Sequence, residues 1–137
     1  FGSLASYAFS SVPSAGASGA IFGLAGAITV YFLRFRENFG ARGRAILQNM
    51  LLIIGINLVF GLTARGIDNW GHIGGLAGGA LVAFGLLPHY TTSTAFLAGS
   101  HALQEEPRAF FHALWVTLCI VVLILGVGFA TRMNLAL

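Results

Sequence analysis

Four stretches of this chain carry no Lys, Arg, Asp or Glu: residues 1–33, 45–64, 69–104 and 109–131. A bilayer core accepts backbone only when its polar groups are paired internally, which a helix of roughly 20 apolar residues achieves. Each stretch is long enough to hold at least one such helix. Only 8% of the 137 residues are charged and 57% are apolar, with a mean hydropathy of +0.86. Soluble domains carry about 25% charged residues. The expected fold class is therefore all-α, a multi-pass transmembrane helical bundle with about four complete membrane helices. The length leaves no room for a second core of this kind. Because the first residue is Phe, the chain reads as a fragment whose earlier helices precede it.

The net charge of +3 and the pI near 9.8 do not point to nucleic acid. All seven basic residues are Arg, and four of them (Arg34, Arg36, Arg42 and Arg44) fall in what reads as one short loop between apolar runs. Short basic loops stay on the cytoplasmic side, so the pattern sets orientation against a lipid bilayer. Arg108 falls on that side too, and Arg65 and Arg132 on the other. Cys119 is the single cysteine and lies within an apolar run, so it forms no internal disulfide. The first apolar run has no basic leader or cleavage pattern, and no signal peptide is expected.

Residues 1–7 read as the tail of an earlier helix, and 8–15 (AFSSVPSA) as a Ser/Pro turn. Membrane helices are expected over about 18–35, 45–62, 72–87 and 109–130. Pro88 closes the third, and a polar connector, residues 89–108, leads to the fourth on the cytoplasmic side. With the arginines cytoplasmic, Ser18 and His72 both lie at the opposite face, each at the entry end of its helix.

Glycine costs roughly 1 kcal/mol against alanine inside a helix, so its density here needs a reason. The first helix has Gly19, Gly23 and Gly26, and the third has Gly71, Gly74, Gly75, Gly78 and Gly79. Gly19-x-x-x-Gly23 and Gly75-x-x-x-Gly79 are small-residue surfaces on which membrane helices approach closely. Packed on those faces, Ser18 and His72 become neighbours. His72, Gly75 and Gly79 share one helical face, as do Ser18, Phe22 and Ala25, so Phe22 is placed to stack beside the imidazole.

A serine hydroxyl becomes a nucleophile only with a base in hydrogen-bond reach, usually histidine. An ionisable group at a membrane span is a functional candidate by default. Spacing alone leaves two readings open, a catalytic pair or an ordinary interhelical hydrogen bond. A soluble nucleophile elbow is excluded, because it needs Gly where Ala20 stands and a preceding strand. No metal site is expected, since His72, His89, His101 and His112 have no partner at ligand spacing. A transporter or channel would place more polar residues in mid-membrane.

The run GASG (Gly16–Gly19) continuing as AIFGLAGA, followed downstream by GHIGGLAGG (Gly71–Gly79), resembles the rhomboid intramembrane serine proteases. Their signature is a GxSG serine on one helix and, two helices later, a histidine followed by HxxGxxxG spacing, matched by His72, Gly75 and Gly79. The resemblance covers about Gly2 to Pro88. It implies that Ser18 is the nucleophile and His72 the general base of a dyad without a third acid, supported by Gly16, Gly19, Phe22, Gly75 and Gly79. It implies transmembrane protein substrates, no cofactor and no metal, and a multi-pass location, expected to be the plasma (inner) membrane of a bacterium. Residues 1–88 are then the C-terminal half of the protease core and 109–131 an additional transmembrane helix. The alternative within the same resemblance is a pseudoprotease that binds membrane helices without cutting them.

Asp68, four residues before His72, reads as a helix cap rather than a triad acid. Asn57 reads as interhelical glue and Trp70 as an interfacial anchor. The family often has Tyr where Phe22 stands. Its further oxyanion donors sit on an earlier helix, which leaves the Ser18 backbone N–H as the donor within this sequence. Since one lost donor costs roughly 10²–10³ in turnover, these residues alone are expected to be inactive.

Overall fold

The computed structural model describes all residues except 11–15, 65, 94–101, 106 and 137. Five helices follow one another: α1 (Gly2–Phe9), α2 (Ser18–Arg34), α3 (Arg36–Thr63), α4 (Asn69–Leu86) and α5 (Ala109–Ala136). The all-helical expectation holds for the body of the chain. Between α4 and α5, β1 (Tyr90–Ser93) and β2 (Ala102–Glu105) form an antiparallel hairpin, with Tyr90 opposite Glu105 and Ser93 opposite Ala102. A hairpin was not expected in that connector. Most of the Ser/Pro turn, residues 11–15, lies outside the described residues.

Two helices, α3 and α5, are long and apolar enough to cross a membrane, with mean hydropathies of 2.0 and 2.6 over their most apolar segments. The other two long ones are shorter, 17 residues in α2 and 18 in α4. The arginines do not occupy a loop. Only Phe35 separates α2 from α3, and Arg36, Arg42 and Arg44 belong to α3 itself. The chain turns instead by a kink at Gly40, whose φ of 50° is a left-handed value that glycine adopts without strain. Tyr31, Phe32 and Phe39 pack around this bend, with Phe32 and Phe39 ring centroids 5.1 Å apart. Gly43 is buried beneath Phe39 and Phe32. At its far end α5 continues to Ala136, six residues past the expected end at Ala130.

The centre of the fold is the seam between α2 and α4. A Cβ on Gly19 would stand 3.2 Å from the Gly71 carbonyl oxygen, and one on Gly23 would stand 3.3 Å from that of Gly75. In the other direction, Cβ atoms on Gly75 and Gly79 would run into the carbonyl oxygens of Gly19 and Gly23. Gly26 meets Leu76 and Ala80 in the same way. Partners advance together along both helices, so α2 and α4 run parallel, backbone against backbone. Their far ends also meet, where the Arg34 guanidinium donates to the His89 ring.

A second glycine face of α4 receives α1. Gly74 lies under Ala5, Gly78 under Phe1, and Phe9 packs on Trp70 with centroids 5.0 Å apart, so α1 runs antiparallel to α4. On the outside, α5 closes over α1 and α4. Trp115 fills the notch left by Gly85 and donates from Nε1 to the Leu81 carbonyl at 3.1 Å. Leu4 seats on Gly126, Asn134 donates to the Tyr7 carbonyl at 2.9 Å, and the Tyr7 hydroxyl donates to Thr131. Ala130, 1% exposed, is the most buried hydrophobic residue of this packing among the described residues.

Candidate active site

The first turns of α2 and α4 carry the two candidate residues, Ser18 and His72. Asp68 caps α4: its carboxylate accepts from the Gly71 N–H at 2.9 Å, as a short acidic side chain before a helix is suited to do. That cap fixes the turn carrying His72. His72 is 7% exposed, and its Nδ1 is buried without a hydrogen-bond partner. Phe22 lies flat against it, centroids 4.2 Å apart and planes 6° from parallel. The ring fixes the plane of the imidazole and occupies one of its faces.

Ser18 is the first residue of α2 and is exposed. Ala17 precedes it as the cap residue without a side-chain hydrogen bond to the helix. Among the described residues, the earliest backbone donors of α2 to find partners are those of Ala20 and Ile21, both to the Ala17 carbonyl. N–H groups before them point out of the helix start, the positive end of its dipole. Gly19, next to Ser18, touches the Gly71 carbonyl, next to His72. The seam therefore brings the serine and histidine turns together, at one end of two parallel helices. Among the described residues no hydrogen bond joins the two side chains.

The supporting glycines divide by task. Gly19, Gly75 and Gly79 lie in the seam, whereas Gly16 is exposed ahead of α2, within 4.0 Å of the Ser18 hydroxyl by the position of a built Cβ. Together with Gly19, Ala20 and Gly23 it lines a groove whose other wall includes Gly2 and Ser3 of α1. Among the described residues no group of three His, Cys, Asp or Glu is placed to hold a metal ion.

Asn57 departs from its expected part. Its amide donates at 2.8 Å to the Ile53 carbonyl of its own helix, and the side chain is exposed. The interhelical bond belongs to Asn69, whose Nδ2 donates to the Leu58 carbonyl of α3 at 3.1 Å. The sequence holds one signal for it, a glycine, Gly61, one turn beyond Leu58 on the facing helix.

Comparison with known proteins places this arrangement. The Rhomboid domain family matches residues 1–89. Rhomboid protease GluP of Bacillus subtilis is 53% identical over 85 residues, covering 62% of this chain and 16% of the relative. RHOMBOID-like protein 1 of Arabidopsis thaliana is 34% identical over 121 residues, covering 82% of this chain and 30% of the relative. Rhomboid protease AarA of Providencia stuartii is 39% identical over 83 residues, covering 54% and 29%. The chain thus spans less than a third of the length of these curated relatives, and no solved structure matches it. The family match takes in α1, α2, α3 and α4, with the glycine seam and both first turns, and on that ground the chain belongs to the rhomboid family.

Proposed function

We propose that this chain carries the nucleophile and general base of an intramembrane serine endopeptidase, with Ser18 attacking and His72 accepting its proton. The observation that carries the reading is the juxtaposition of the two helix starts, with an exposed hydroxyl on one and an enclosed, Phe22-stacked imidazole on the other. Two relatives bear the name rhomboid protease, which agrees with it.

In this mechanism α2 and α4 cross the membrane alongside α3 and α5, with the Arg34–Arg44 end cytoplasmic and the site toward the opposite face. The membrane is the plasma membrane of a bacterium. A substrate's transmembrane segment enters from lipid past α3, the moving helix, and unwinds locally to present a peptide bond. Nδ1 of His72 is enclosed, which leaves Nε2 to take the Ser18 proton as Oγ adds to the carbonyl carbon. The oxyanion forms against the open first turn of α2, where the Ser18 N–H and the helix dipole favour negative charge. His72 then returns the proton to the departing amine, and water, deprotonated by the same imidazole, hydrolyses the acyl-enzyme. Catalytic hydrogen bonds are often long before substrate binds, in keeping with the unbonded pair here.

The test is cleavage of a transmembrane reporter, and fluorophosphonate labelling, by the full-length protein, Ser18→Ala and His72→Ala. Each variant should lose at least about 10³-fold in turnover, and Ser18→Ala should lose labelling outright. Parent-level cleavage by both variants would overturn the reading. A parent that binds membrane helices but neither cleaves nor labels would make the protein a pseudoprotease.

A further inference from the structure

Three residues of α3 are buried, Gly43, Ile54 and Gly61, while Leu51, Leu52, Ile53, Ile56, Val59, Phe60 and Leu62 are all exposed. The helix is thus held at few points. Its one described side-chain hydrogen bond to another helix is the bond from Asn69 Nδ2 to the Leu58 carbonyl. The rest of that amide is enclosed: Oδ1 is buried without a partner, and Gly61 lies so close that an added Cβ would meet Oδ1, with Asn69 Cγ at 2.8 Å and Ile67 Cγ2 at 3.0 Å. A part-buried amide whose acceptor oxygen is enclosed and unsatisfied is an expensive residue to keep for packing alone.

We infer that Asn69 is a positioning residue, a polar pin that holds the end of α3 nearest the site against the first turn of α4 and so limits lateral movement of α3. The pin acts on α3 and not on His72. The histidine turn is set independently by the Asp68 cap and by the glycine seam with α2, neither of which involves the Asn69 side chain. Because one hydrogen bond within an apolar surrounding holds the helix end, α3 is free to swing when that bond breaks, and the α4 turn stays in place. This inference rests on the protease reading in one respect: the passage that α3 borders is taken as the substrate's way in.

The experiment uses the full-length protein in bilayer nanodiscs with Cys119→Ala, spin labels on Leu62→Cys and Ile73→Cys, and the variants Asn69→Ala and Gly61→Ala. Gly61→Ala displaces the same amide from the opposite side without removing it. Both variants should broaden the Leu62–Ile73 distance distribution. The KM for a transmembrane reporter should fall about threefold, the equilibrium shift carried by one interhelical hydrogen bond in a membrane protein, with fluorophosphonate labelling of Ser18 unchanged. Unaltered widths and KM in both variants would overturn the pin. So would labelling and cleavage that fall in parallel, the signature of a structural role only. A parent that fails to label would defeat the protease reading instead, and the distance widths would still decide whether Asn69 restrains α3.

Discussion

Helices α2 and α3 are consecutive in the chain and are built on opposite plans. Against α4, α2 lies backbone to backbone, with Gly75 and Gly79 leaving no space for a methyl group and Gly19 and Gly23 leaving barely enough. By contrast α3 touches its neighbours largely through side chains near its ends, Phe32 of α2 on Phe39 and Gly43 and Asn69 of α4 against Gly61, and leaves most of its length open. Direct backbone contact cannot slide or tilt without collision, whereas a helix held by one amide and a few rings can. The pair of residues proposed for chemistry lies on the rigid seam, and the helix proposed to admit substrate lies off it.

The strongest way to break that contrast is to insert a methyl into the seam. Gly75→Ala or Gly79→Ala puts a Cβ into a facing carbonyl, and since that atom is backbone the helices must separate. Overpacking of this kind costs about 3 kcal/mol. The double variant should fail to fold, and each single variant should show a marked fall in thermal unfolding midpoint in detergent. A seam that tolerates both would mean that α2 and α4 are not in backbone contact.

Next in size is Phe22→Ala, which leaves the seam glycines alone and removes the ring stacked on His72. A stacked aromatic pair is worth about 0.5–1.5 kcal/mol, up to about tenfold in rate when it orients the base. Fluorophosphonate labelling of Ser18 should slow by that factor, and Phe22→Tyr should restore it. Parent-rate labelling of Phe22→Ala would show that the seam alone orients the imidazole.

How much of this was legible beforehand follows from the physics of each signal. Glycine spacing announced the seam, because a period of four on two apolar helices has little other use. Asp68 announced its cap by residue type and position. The bend at Gly40 was hidden: Arg and Asn beside Gly read as a loop, and only the packing of Tyr31, Phe32 and Phe39 turns the segment back into helix. Asn57 was given the interhelical bond and Asn69 no part at all. Asn57 lies deep in an apolar run and Asn69 beside a cap, yet the choice between them depends on which face meets α4, and pattern does not record it. The meeting of the two motif-bearing turns was legible in the glycine spacing, while the unpartnered Nδ1 of His72 and the enclosure of Asn69 Oδ1 needed three dimensions.

The outer helix supplies an intermediate case, a contact neither as tight as the seam nor as sparse as α3. Trp115→Phe keeps a ring in the Gly85 notch and deletes only the bond to the Leu81 carbonyl. A net hydrogen bond is worth about 1 kcal/mol, so the unfolding midpoint should drop slightly and labelling should not change. Large loss of labelling would mean that α5 sets the position of α4 and so of His72.

The smallest effect is the sharpest control, because it makes the same chemical change as the first with the opposite sign. Gly55 lies in the middle of α3, and a Cβ built there meets nothing within 4 Å. Alanine therefore adds no collision and restricts the unfolded backbone, a gain of about 0.5 kcal/mol. If α3 is as open as its contacts imply, Gly55→Ala should raise the unfolding midpoint slightly and leave both labelling and reporter KM at parent values. A fall in stability comparable to that of Gly75→Ala would place another helix against this face. The contrast between α2 and α3 would then be one of partners rather than of rigidity.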